Sequence, residues 1–193
     1  MKSIEIWKNR PNNSGLGSRG LLAKFKADFV NNFIKENNIE TLFDFGCGDL
    51  HNSSMIEVSE YLGIDIVGHK IPKEVKADSF RTAVSRFDEF VCEEPADMTL
   101  CMDVLYHILN GEEEYLKATL EKLVECSKRY IVIYAQDSKR TDLGWENVEH
   151  MHNGPWRQLL EKHNVKLIQQ QAKEDYGTGP SSEAVFFVYE KRK

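Results

Sequence analysis

The sequence lacks any long apolar run. No stretch approaches the ~20 consecutive apolar residues that a membrane-spanning helix requires, and residues 1–7 carry an acid where a secretory signal would need an apolar core. Hydrophobic residues make up 41% of the 193 residues and charged residues 29%, which is the composition of an ordinary globular protein. We therefore expect a cytoplasmic protein with no membrane contact, folded as one domain over residues 1–193.

Paired cysteines and an excess of positive charge are missing as well. The cysteines form no C-x-x-C pair, so we interpret them as reduced thiols; they are Cys47, Cys92, Cys101 and Cys126. The net charge is −6, which argues against a broad surface that binds phosphates. Nucleic acid is therefore not the expected partner.

The chain is organised around residues 41–50, TLFDFGCGDL. A short apolar run ends in an acid, Asp44, and a turn containing Gly46 and Gly48 follows at once. Because glycine has no Cβ atom, the backbone of this turn can adopt unusual φ/ψ angles and approach a ligand closely. The pattern predicts a buried strand leading into a tight turn beneath a ligand, with a carboxylate beside it.

A dinucleotide-binding turn is the nearest alternative interpretation. That fingerprint has a further glycine or alanine three residues after the second glycine, where this chain has His51. Asp44 and Asp49 also flank the turn, and their charges would repel a pyrophosphate. A cofactor that carries a cationic ammonium and a sulfonium fits this turn better.

The segment 44–48, Asp-Phe-Gly-Cys-Gly, resembles the first motif of class I methyltransferases that depend on S-adenosylmethionine (SAM), and the resemblance extends over roughly residues 20–190. A narrower likeness links the chain to small bacterial and phage-type methyltransferases. It rests on the Ser-Gly-x-Gly-Ser loop at 14–18, the turn at 44–48, the segment 103–107, and His150 followed by Trp156. The resemblance implies SAM as the cofactor.

The same resemblance implies which residues bind that cofactor. Asp44, Gly46, Cys47 and Gly48 would hold its methionine end. Asp65 lies 21 residues after Asp44, close to the spacing at which an acid on the second strand meets ribose hydroxyls. The further candidates for the cofactor site are Ile66 beside Asp65, Asp78 and Ser79 at the adenine, Asp103 after the fourth strand, and Ser14, Gly15, Gly17 and Ser18 in an N-terminal lid.

Strand and helix patterns alternate between residues 22 and 162, which predicts a doubly wound α/β sandwich. The resemblance implies a Rossmann-like, mostly parallel seven-stranded sheet with an antiparallel last strand. We expect strands at 41–45, 61–66, 97–104, 130–134, 165–168 and 183–189 with a brief third strand ending at 77–80, helices at 21–37, 51–59, 112–127 and 155–162, and a flexible lid or tail at 1–20. Ligands bind beyond the carboxyl ends of parallel strands, where Asp44, Asp65, Asp103 and the loop after Tyr134 should meet.

Methyl transfer needs little covalent help, because the sulfonium is a good leaving group and the protein mainly aligns donor and acceptor. A hydroxyl acceptor benefits from a base such as histidine. We therefore interpret His107 and His150, with Asp103, as the catalytic candidates. The segment 102–108 resembles that of methyltransferases acting on oxygen and small molecules, and it lacks the [Asp/Asn]-Pro-Pro-[Tyr/Phe] signature of many amino-methylating enzymes.

A metal site and two other functions remain open as alternatives. Asp103, His107, His150 and His152 could hold a divalent ion, yet the Glu-x-x-Glu-His metal site of small-RNA 3′-terminal methyltransferases has a tyrosine, Tyr106, in place of one carboxylate here. We therefore predict no metal. The expected reaction is O-methylation of a small molecule or glycan precursor; the alternatives are methylation of an RNA end and SAM binding without catalysis.

Overall fold

A seven-stranded sheet lies at the centre of the computed structural model, which describes residues 1–9, 18–137, 154–172 and 184–192. Its strands run in the order β3-β2-β1-β4-β5-β7-β6. The strands are β1 (Thr41–Phe45), β2 (Glu60–Asp65), β3 (Ser79–Val84), β4 (Ala96–Met102), β5 (Ser127–Ala135), β6 (Val165–Gln171) and β7 (Val185–Lys191). Strands β1 to β5 pair in parallel, and β7 runs antiparallel to both β5 and β6. The predicted doubly wound sheet with an antiparallel last strand is confirmed.

Helices cover both faces of this sheet. They are α1 (Lys2–Lys8), α2 (Gly20–Asn37), α3 (Glu113–Glu125) and α4 (Trp156–Leu160). On one face, the phenylalanines of α2 pack on β5 and β7, and the Phe29 and Phe186 rings stack with centroids 3.8 Å apart. Helices α3 and α4 bury apolar side chains against the other face, where Trp156 contacts Phe187. Because both faces are covered, the apolar run of β5 is continuous rather than alternating. None of the helices described is both long and apolar enough to cross a membrane.

Two expectations about the positions of elements were wrong. A helix was predicted at 51–59, but the structure has a single 3-10 turn, Ser53–Met55. This segment is held by side chains instead: Asn31 on α2 accepts a hydrogen bond from the Glu57 N–H at 2.8 Å and donates one to the Met55 carbonyl at 2.9 Å. Because these backbone groups bond to Asn31, the connection between β1 and β2 is held in place without a helix of its own.

The third strand begins at Ser79, where the prediction had it ending. Strand β3 is the edge of the sheet and carries exposed polar residues such as Arg81, so it lacks the apolar pattern that marks the inner strands. At the N-terminus, residues 2–8 form helix α1 where a flexible lid or tail was expected. Ile4 of this helix is buried in the same core cluster as apolar residues of α3, and the Ser3 N–H donates to Glu112 Oε1 at 3.2 Å.

Candidate functional site

The turn after β1 depends on glycine. Gly46 and Gly48 have φ angles of 87° and 56°, in the left-handed region that residues with a Cβ atom rarely adopt. A Cβ atom on Gly46 would lie 2.1 Å from Cγ2 of Val104, which is two residues beyond β4. The Gly46 N–H donates to the Ile64 carbonyl at 2.7 Å. The turn is therefore fixed tightly against the carboxyl ends of β2 and β4.

Asp44, the acid before this turn, is buried and only half satisfied. Its Oδ2 atom accepts hydrogen bonds from the Tyr61 hydroxyl at 2.6 Å and from Ser53 Oγ at 3.0 Å. Its Oδ1 atom is buried and has no hydrogen-bond partner among the residues described. Burial raises the pKa of Asp44 to about 6, although the hydrogen bonds from Tyr61 and Ser53 oppose the rise. A buried carboxylate oxygen without a donor is suited to a cationic N–H donor from a ligand.

Asp65 ends β2 next to the same turn. Its Oδ2 atom accepts the Gly48 N–H at 2.9 Å, and its Oδ1 atom accepts the Val67 N–H at 3.0 Å. Burial raises the pKa of Asp65, and these hydrogen bonds lower it in part. Since each carboxylate oxygen has two acceptor sites, Asp65 can still accept from ligand hydroxyls. Of the neighbouring candidates, Ile66 packs on the core and Cys47 is buried with its Sγ atom against Gly63.

Asp103 follows β4 at the same edge and is held in an unusual conformation. Its φ angle of 59° is left-handed, and its N–H donates to the Tyr134 carbonyl at 2.9 Å. The Tyr106 hydroxyl donates to Oδ1 at 2.8 Å, and Lys26 of α2 forms an ion pair with Oδ2. Sequence reasoning missed Lys26. The signal was there, because Lys26 is spaced four residues from both Leu22 and Val30 and therefore lies on the buried stripe of the helix.

His107 lies one short turn after Asp103, in the 3-10 helix Leu105–His107. His107 is half-buried, and its ring meets the ring of Trp7 edge-on with centroids 4.5 Å apart; the centroid of the Tyr106 ring lies 4.4 Å from it. Trp7 was not predicted as a site residue, since nothing local in the sequence ties helix α1 to the end of β4. The structure thus brings Asp44, Asp65, Asp103 and His107 to one edge of the sheet.

Other candidates fall elsewhere. Asp78 and Ser79 precede or begin β3, where their N–H groups bond to the Val58 and Ser59 carbonyls at 3.1 and 2.8 Å. They lie at the amino ends of the parallel strands, away from the carboxyl ends where Asp44 and Asp65 lie, so this position does not favour their assignment to the adenine. Within the ranges described, no group of three His, Cys, Asp or Glu side chains is placed to hold a metal ion.

Several predicted residues lie outside the described ranges: Ser14, Gly15 and Gly17 of the expected lid, and His150 and His152. Ser18 is described, and the next residue, Arg19, forms an ion pair with Asp49 of the glycine turn. The chain therefore re-enters the described structure beside the site.

No protein-family model matches the chain, and no curated protein sequence matches it. Solved structures do. The N-methyltransferase NodS from Bradyrhizobium japonicum WM9, in complex with S-adenosyl-L-homocysteine (SAH), has a TM-score of 0.70 at 12% identity over 100% of this chain and 98% of that one. Magnesium protoporphyrin IX methyltransferase (ChlM) from Synechocystis PCC 6803, with bound SAM, gives 0.64 at 13% identity over 89% and 80% of the two chains.

The small RNA methyltransferase HEN1 gives a TM-score of 0.63 at 16% identity, over 89% of this chain and 25% of that one. At such identities the likeness shows the fold alone. That fold is the Rossmann-like fold of class I SAM-dependent methyltransferases, as the turn at 44–48 predicted.

Proposed function

We propose that the protein is a SAM-dependent methyltransferase. The observation that carries the proposal is the buried Asp44 carboxylate, whose Oδ1 atom has no donor among the residues described and lies beside a turn where a Cβ atom on Gly46 would clash with Val104. A cofactor with a cationic amino group supplies the donor, and a close-approaching backbone needs the glycines. The methyltransferase fold of the chain supports the same cofactor, because structures that resemble it hold SAM or SAH.

Asp44 and the backbone of Gly46, Cys47 and Gly48 would hold the methionine end of SAM. Asp65 and Ile66 would hold the ribose end. Asp78 and Ser79 lie at the amino ends of the strands, so another segment is needed at the adenine. The Ser85 N–H donates to the Asp65 carbonyl at 2.9 Å, which places the segment after β3 beside Asp65. In this proposal that segment contacts the adenine. When bound, SAM supplies a methyl group on a sulfonium, a good leaving group.

The acceptor in this proposal lies against His107, which is placed beyond β4. His107 removes the proton from an acceptor hydroxyl, and the rings of Trp7 and Tyr106 beside it give an apolar wall against which a ring-shaped acceptor can be oriented. These features support O-methylation of a small molecule or a glycan precursor.

Methylation of an RNA end is the second candidate. The likeness to HEN1 favours it, and the net charge of −6 weighs against it. A strongly salt-dependent affinity for RNA ends would support this second candidate. SAM that binds but is never consumed with any acceptor would support a non-catalytic role.

Calorimetry with SAM and SAH tests the cofactor proposal. The wild-type protein should bind both, and Asp65→Ala should weaken binding by about 1.5–3 kcal/mol, the scale of hydrogen bonds to a charged group. Asp78→Ala is the matched control: it removes an exposed aspartate at the opposite edge and should leave affinity unchanged. A wild-type protein that binds neither ligand contradicts the proposal, and equal losses in both variants would remove Asp65 from the site.

A further inference from the structure

Lys26 is a charged residue in an apolar place. Its side chain is 0% exposed, on the face of α2 that packs on the sheet. Its ammonium forms an ion pair with Asp103 and lies 5.1 Å from the centroid of the Tyr134 ring. Burying an ammonium group is costly unless a carboxylate compensates it. The position of the Lys26 charge is therefore fixed by Asp103.

Asp103 is in turn fixed by its surroundings. Its left-handed backbone is a conformation that costs free energy for a residue with a Cβ atom, and hydrogen bonds to Tyr134 and from Tyr106 hold it there. Burial, with Asp103 beside it, raises the pKa of Tyr106 well above the usual value, so its hydroxyl stays protonated and keeps donating. The pair of charges is thus preorganised at the edge where the ligand binds.

The Lys26 charge also reaches the glycine turn. Its positive charge opposes the rise that burial causes in the pKa of Asp44. Lys26 therefore acts on both acids, Asp44 before the turn and Asp103 beyond β4. A ligand group that lies between these two acids, and is charged in one ligand but neutral in another, interacts with the Lys26 charge as well.

We infer that the Lys26–Asp103 pair sets the preference of the site between the methyl donor and its demethylated product, and this inference rests on the proposed function. SAM carries a sulfonium cation, and SAH carries a neutral thioether at the same atom. Asp103 attracts the sulfonium, and Lys26 offsets that attraction. The pair thereby keeps the affinities for SAM and SAH similar, and Lys26 is a residue that determines the ratio between them.

The two charges predict opposite effects, which separates this role from packing. Lys26→Met leaves the Asp103 charge uncompensated, so the ratio Kd(SAH)/Kd(SAM) should rise about tenfold or more, since one unit charge contributes a factor of ten even across roughly 12 Å at an effective dielectric constant near 20. Asp103→Asn leaves Lys26 uncompensated, so the ratio should fall by a similar factor. Lys26→Arg keeps the charge and should leave the ratio within about twofold of wild type.

Calorimetry with SAM and SAH measures these ratios. Both ligands are measured on the same variant, so a smaller folded fraction, or a lost contact that SAM and SAH have in common, affects both dissociation constants and cancels in their ratio. If Lys26→Met alone does not fold, the double variant Lys26→Met/Asp103→Asn removes both charges and should return the ratio towards wild type. Single variants that shift the ratio in the same direction, or leave it unchanged, overturn the inference while the proposed function stands. A wild-type protein that binds neither ligand refutes the proposed function, and the inference falls with it.

Discussion

As the pH rises, the Asp44→Asn variant should become more stable relative to the wild-type protein. The buried Asp44 carboxyl has its pKa raised from 3.8 to about 6 by desolvation, so between these values the folded state binds a proton that the unfolded state has lost. Stability from this group is fully present below pH 3.8 and is lost as the pH rises through about 6. The asparagine side chain does not titrate, so the variant loses nothing over this range.

The magnitude follows from the size of the shift. At about 1.4 kcal/mol per pKa unit, the whole shift is worth about 3 kcal/mol, of which about 2 kcal/mol falls between pH 4.5 and 7.5. The Asp44→Asn variant also gains a buried NH₂ group, but the cost of that group does not depend on pH. The prediction therefore concerns the difference in unfolding free energy between variant and wild type, which should grow by about 2 kcal/mol over this range.

Urea denaturation of both proteins at pH 4.5, 6.0 and 7.5 measures this difference. With m-values typical of small domains, about 2 kcal/mol corresponds to a relative midpoint shift of roughly 1 M urea. Titrating groups that do not interact with Asp44, such as Asp97, are common to both proteins and cancel. A difference that stays constant from pH 4.5 to 7.5 would refute the argument, because it would mean that Asp44 titrates alike in the folded and unfolded chains.

Two further substitutions test the turn and the acceptor site. Gly46→Ala should abolish SAM binding and destabilise the fold, because its Cβ atom would lie 2.1 Å from Val104 Cγ2. Gly111→Ala is the control: its φ is a similar 86° and nothing lies within 4 Å of the added Cβ atom, so it should cost only the ~1–2 kcal/mol of the left-handed backbone. Equal losses of stability in urea denaturation would contradict the steric argument. His107→Ala should lower the transfer of tritiated methyl groups from SAM to small-molecule acceptors by about 10²–10⁴-fold with SAM affinity nearly unchanged. His163→Ala, before β6 at the opposite edge, is its control, and an unchanged transfer rate in His107→Ala would exclude His107 as the base.

The parts of the fold that follow from local chemistry were predictable from the sequence. The turn after β1 is one, because an acid and two glycines directly after an apolar run are typical of a tight turn that needs positive φ angles. Lys26 and Asp103 are 77 residues apart, and their pairing depends on how α2 is rotated on the sheet. Trp7 and His107 lie far apart in the sequence, and their contact depends on how α1 packs in the fold, where Ile4 is buried in the core. Strand β3 was misplaced because an edge strand with exposed polar residues lacks the apolar pattern of its inner neighbours.

Aspartates at the amino ends and at the carboxyl ends of the parallel strands have pKa values shifted in opposite directions, and this contrast bears on function. Asp97, at the start of β4, accepts the Glu40 and Thr41 N–H groups, each at 3.0 Å. Burial alone would raise the pKa of Asp97, but these hydrogen bonds lower it below its usual value. Asp97 therefore stabilises the fold that holds it.

At the carboxyl edge, Asp44 and Asp65 both have raised pKa values, and Asp44 Oδ1 has no donor in the described chain. The backbone of the same sheet satisfies the Asp97 carboxylate, whereas among the residues described Asp44 remains half satisfied. Charge buried without full compensation lowers stability and is a common feature of ligand sites. A cationic ligand beside Asp44 would relieve this cost, so its binding should stabilise the wild-type fold more than the Asp44→Asn variant.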